Sequence, residues 1–147
     1  MIDLILRDAN LRPDLFKWRG KLSVSDLERW ERAHSITVPR DLKQLWSTRG
    51  GGDLFESEVV LQPFGAADYD LIGPVSEAFW KRGLDAELYV FHTGLWDSVF
   101  RKSDGTLYSL APKSLSQRSK FQGLDDWFKA LRSEYADRYG LAGGGAI

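Results

Sequence analysis

Cysteine is missing altogether from this 147-residue chain, which removes disulfides, thiolate nucleophiles and thiolate metal sites together. Histidine occurs only at His34 and His92. No His-x-x-x-His spacing is present, so a metal site would require both rings to converge with carboxylates. No metal or other cofactor is expected. No apolar run approaches the roughly 20 residues of a membrane span. The opening MIDLILRDANLRPDLF has neither a basic leader nor a long apolar stretch, so a cytoplasmic protein without a membrane partner is expected. Serines are plentiful, but no Gly-x-Ser-x-Gly elbow occurs. Neither an internal repeat nor a second hydrophobic unit appears, and the length suits one domain over residues 1–147.

Basic residues are also missing, but only locally. Residues 50–80 contain Asp53, Glu56, Glu58, Asp68, Asp70 and Glu77 without one Lys or Arg, whereas the flanking segments 1–49 and 81–147 carry net charges of +3 and +2. A block of one sign steers partners of the other sign even when the whole chain is near neutral. A solvated acidic loop is the plainer account of the same block.

What is present reads as helices first and strands afterwards. LSVSDLERWERAHSI opens on a capping signal, with Ser23 answered by Asp26 or Ser25 by Glu28. Either register puts Leu27, Trp30 and Ala33 or His34 on one face. In ITVPRDLKQLWSTRGGG, Pro39 suits a first helical turn, and Leu42, Leu45 and Trp46 recur at helical spacing. Gly50, Gly51 and Gly52 then read as a helix stop. A phosphate loop would need a strand before the glycines and a helix after them, the reverse of this order. ESEVVLQPF reads as a strand ending at Pro63. Gly73-Pro74 reads as a turn before a short helix that carries Val75, Ala78 and Phe79. ELYVFHTG and DSVFRKSDGTLYSL read as antiparallel sheet, with Asp104-Gly105 as a hairpin turn. GLDDWFKALRSEYADRYG is an amphipathic helix stopped by Gly140, and residues 141–147 read as a frayed tail.

Candidate sites are few. Asp68 and Asp70 are spaced by two and would share a face in a strand, as a carboxylate pair for acid/base work or Mg²⁺ would require, although acids in a turn are commoner. Lys113, Arg118 and Lys120 near Phe121 form the best basic patch, too modest for direct nucleic-acid binding to be expected. Trp30, Trp46 and Trp127 fall on apolar helical faces, whereas Trp80 and Trp96 lie near less regular segments and are candidate protein-binding anchors.

The segment LSVSDLERWERAHSITVPRDLKQLWSTRGGG resembles the opening of the SUKH superfamily, the cell-wall assembly regulator and toxin-immunity fold. The matching positions are Leu27, Trp30, Glu31, Ile36, Val38, Pro39, Leu42, Leu45 and Gly50 to Gly52; Arg49 departs from the frequent Asn. DYDLIGPV, HTGLWDSVFRKSDGTLYSL and GLDDWFKALRSEY look like the later blocks, so the resemblance spans roughly residues 23–135. It implies an α+β domain: a mainly antiparallel sheet with an N-terminal helix pair and a C-terminal helix packed around it. It further implies no enzymatic activity, with the motif residues acting as scaffold. Bacterial members bind and neutralise a cognate toxin, often a nuclease, while fungal relatives are regulatory adaptors. The resulting expectation is an immunity protein whose partner is a toxin domain, with Asp53, Glu56, Glu58, Asp68, Asp70, Trp80 and Trp96 as candidate contacts. A non-catalytic adaptor is the second reading. A small hydrolase using Asp68, Asp70 and His92 is the third, and it requires those side chains to share a pocket. Oligomeric state is not encoded legibly.

Overall fold

A computed structural model describes residues 1–141. It is a single α+β domain in which a seven-stranded antiparallel sheet follows the chain in strict order, each strand pairing with the next. The strands are β1 (Phe16–Trp18), β2 (Gly52–Leu54), β3 (Glu58–Val60), β4 (Leu88–Thr93), β5 (Ser98–Arg101), β6 (Leu107–Leu110) and β7 (Gln117–Phe121). The helices are α1 (Asp3–Leu11), α2 (Val24–His34), α3 (Arg40–Thr48), α4 (Ile72–Lys81), α5 (Leu124–Ser133) and α6 (Ala136–Tyr139).

The pair α2 and α3 forms where its capping and periodicity place it. Ser23 is the N-cap, its hydroxyl accepting from the Asp26 amide. Ser35 ends α2 in the left-handed conformation, and Glu31 then ties the connection down by accepting from the Val38 amide at 2.9 Å while pairing with Lys43 of α3. Leu42, Leu45 and Trp46 are fully buried. The Trp46 indole N–H reaches the Leu61 carbonyl, so the polar edge of a large core ring is satisfied.

The three glycines after α3 divide the work. Gly50 alone is left-handed (φ 85°), and its amide closes the carbonyls of Leu45 and Trp46. Gly51 and Gly52 already belong to the sheet side of the junction. A Cβ on Gly51 would stand 2.5 Å from the Val60 carbonyl oxygen, and one on Gly52 would stand 2.4 Å from that of Lys17. The run is thus a helix stop followed by two positions of close backbone approach.

Three expectations need correction, and one stretch carried none. The first 22 residues hold α1 and β1, which the sequence reading left unassigned. Gly73 and Pro74 lie inside the first turn of α4, where proline needs no amide partner, and not in a turn before it. The last amphipathic segment is broken at Glu134 and Tyr135 into α5 and α6, and Gly140 (φ 61°) caps α6 only. Of the expected frayed tail, Leu141 donates its amide to Ala136 in that cap, and the remaining residues lie outside the described ones.

The core sits between the sheet and α5, which lays Trp127, Phe128 and Leu131 on it. Phe128 packs on Phe16 and Phe55, and Trp127 on Phe91. The first helix lies against α5, joined by a buried ion pair between Asp8 and Arg132. On β4, α4 is held by the Trp80 indole, which donates to the Leu88 carbonyl and meets Tyr89 edge-on.

Candidate functional site

The densest polar assembly is buried and joins β3, β4, β5 and α5. Pairing of β4 with β5 shifts between Val90 and His92. Such a bulge re-aims side chains, and the rings of Phe91 and His92 both meet Trp127. His92 Nδ1 lies 2.8 Å from Ser98 Oγ, its cross-strand partner, and Nε2 lies 2.8 Å from Glu58 Oε1. Ser98, His92 and Glu58 therefore form the chain of groups found in a hydrolytic triad, with residual exposures of 0%, 0% and 1%.

Counting donors fixes the direction of this chain. Ser98 Oγ receives the indole N–H groups of Trp127 at 2.9 Å and of Trp96 at 3.1 Å, which occupy both lone pairs. Its own proton must then go to His92 Nδ1, which makes the ring the Nε2–H tautomer donating to Glu58. Glu58 also accepts from the Tyr135 hydroxyl and the Leu95 amide, and Ser57 donates in turn to the Tyr135 oxygen. Burial pushes the Glu58 carboxyl upward, but the hydrogen bonds from His92, Tyr135 and Leu95 together outweigh it and hold the group below the ordinary carboxylate range. Tyr135 is pushed up by burial and by that carboxylate.

A nucleophile needs a free lone pair and access to a carbonyl carbon. Ser98 has neither. The assembly is a brace in which every partner is satisfied, and buried polar networks of that kind rigidify a core.

The acidic block is also internally engaged. Arg19, just after β1, reaches Asp53 at 3.1 Å and Asp70 at 3.0 Å with one nitrogen, so a single guanidinium holds the β1 edge to the turn before α4. Asp70 is buried. Glu58 lies in the brace, which removes it as a contact residue: its carboxylate faces His92, not solvent. Glu56 is exposed and bonded to Tyr139, with Arg138 nearby. Asp68 is exposed without an ion pair. The acids are contiguous in sequence but do not form one surface: Asp53 and Asp70 meet at Arg19, Glu58 is buried, and Glu56 lies against Tyr139. Trp80 is partly buried and held by Leu88, so it acts as packing on β4. Trp96 is also partly buried, but it lines a groove of about 250 Å³ with Arg118, Ser119 and Phe121.

The proposed trio Asp68, Asp70 and His92 does not assemble. Asp70 bonds Arg19, His92 bonds Glu58 and Ser98, and no hydrogen bond or ion pair joins the two groups. Among the described residues, no cluster of three or more His, Asp or Glu is placed to hold a metal ion, and no helix is long and apolar enough to cross a membrane. Sequence reasoning missed Ser98, Trp127 and Tyr135 as partners of His92 and Glu58. The available signal was a histidine in an apolar strand facing a serine across a short hairpin. Compared with known proteins, the chain matches no family model and no curated relative.

Proposed function

We propose that the chain is a cytoplasmic immunity protein of SUKH type that neutralises a cognate toxin domain by stoichiometric occlusion. The observation that carries this reading is the closure of the Ser98–His92–Glu58 chain. The side chains with the make-up of a hydrolytic site hold the core together, which leaves the exterior as the surface that meets other molecules. The resemblance across residues 23–135 supports the same reading, and Glu31, Val38 and Pro39 serve as scaffold at the α2–α3 junction. Exposed apolar side chains supply contact material: Tyr69 is 78% exposed, and Leu95, beside Trp96, is 59% exposed.

The test is growth of cells that express a toxin domain to which the chain binds in vitro, with and without the chain in stoichiometric amount. Rescue of growth that tracks the ratio of the two proteins is the expected result. Failure to rescue, with both proteins soluble, would remove the immunity role and leave the adaptor.

A further inference from the structure

The outer edge of β7 is an open strand, and we propose that it pairs with an extended, acidic segment of a partner protein by strand addition. This deepens the immunity reading and rests on it for the identity of the partner only.

The sheet ends at β7, whose ladder runs to β6 alone. Gln117, Arg118, Ser119 and Lys120 are all exposed. Among the described residues, no backbone group outside β6 and the adjoining turn bonds this strand. An edge of five residues thus presents unpaired N–H and C=O groups, the template that extended peptides use when they join a sheet. The other edge, β1, is only three residues long and follows Pro13, so it offers a shorter ladder.

Charge selects the occupant. Residues 105–124 contain Lys113, Arg118 and Lys120 and no Asp or Glu. Among the described residues none of the three is in an ion pair, in contrast to Arg19, whose acids are supplied internally. The basic block therefore keeps its field, whereas much of the acidic block has lost its own. Unpaired cations on an edge strand also oppose a second copy of the chain, because antiparallel self-pairing would bring Arg118 and Lys120 of both copies together. An acidic strand reverses that sign. Beside the edge, the groove lined by Trp96, Ser119 and Phe121 can receive an apolar side chain, and Glu134, just after α5, also lines it. A single-stranded nucleic acid is the less suitable occupant, because it has no main-chain ladder to offer.

The test is an amide NMR titration of the full chain with an acetylated peptide of alternating valine and glutamate. Shift changes centred on Gln117 to Phe121, with slowed exchange of the β7 amides, are expected. The same peptide methylated on alternate amide nitrogens should bind at least about tenfold more weakly, as should the normal peptide against the R118E/K120E variant. That folded variant should instead accept an alternating valine and lysine peptide. No response at β7, or equal binding of the methylated peptide, overturns the inference. So does a response to oligothymidylate in place of the peptide, which would assign the strand to nucleic acid. The peptide assay needs no toxin, so growth rescue without peptide binding sinks strand addition alone, and peptide binding without rescue sinks the immunity role alone.

Discussion

Gly94 lies against the carboxylate of Glu58 so closely that a Cβ at position 94 would stand 2.1 Å from Oε1. The carboxylate cannot step aside without breaking its bonds to His92, Tyr135 and Leu95. Gly94→Ala should therefore cost about 2 kcal/mol, through overpacking and lost hydrogen bonds, although the backbone there is exposed. Chemical denaturation checks the value. In a Glu58→Ala background the same substitution should cost much less, because the opposing atoms are gone.

The depressed acidity of Glu58 sets a pH dependence. A carboxyl whose folded pKa lies below its unfolded one contributes stability that is fully present above the unfolded value, about 4.3, and is lost as pH falls through the folded value. Asp97, pushed up by burial near the same brace, works in the opposite sense and gains as pH falls. Urea midpoints measured from neutral pH downward should thus fall less steeply in Glu58→Gln than in the parent. A parent and variant with identical acid slopes would show that Glu58 is not held as described.

Asp8 and Arg132 are buried together between α1 and α5, with side-chain exposures of 4% and 6%. Arg132→Met leaves the Asp8 carboxylate with only the more distant Arg7, and should cost about 3 kcal/mol or more. The double variant Asp8→Leu/Arg132→Met should be less destabilised than Arg132→Met alone, since neither charge remains in the apolar layer. Thermal melts of the four proteins in the cycle decide it.

Charge reversal separates the surface acids from the buried one. Glu58→Lys should fail to fold, because it places a cation beside His92 in a closed site. Glu56→Lys and Asp68→Lys should keep the fold, with changes within about 0.5 kcal/mol. Asp53→Lys, which sets a second cation against Arg19, should cost about 1 kcal/mol. Circular dichroism and denaturation on each variant check the order.

Much of the frame was legible because its signals are local. The Ser23 cap, the Leu42, Leu45, Trp46 stripe and the Asp104-Gly105 hairpin depend on residues a few positions apart, and all are found in the structure. At that hairpin only Gly105 takes positive φ, and Asp104 instead caps Thr106. What stayed hidden depends on distant partners. The amide of Leu4 in α1 is satisfied by Asp125 of α5, a cap drawn from 121 positions away, and no side chain near Ile2 announces that helix. The surroundings of the candidate acids stayed hidden for the same reason. The acids of residues 50–80 read as one surface until Arg19, Arg138 and His92 arrived from elsewhere in the chain to meet them.

A sheet whose spatial order equals its chain order can be laid down strand by strand as the polypeptide leaves the ribosome. The first helix breaks that sequence: α1 precedes every strand, yet its cap and its buried charge partner reside in α5. Helix α1 must wait, with Asp8 still hydrated, until α5 has emerged. Closure of the fold is thereby a joining of α1 to α5, and a chain that stops short of α5 leaves α1 undocked.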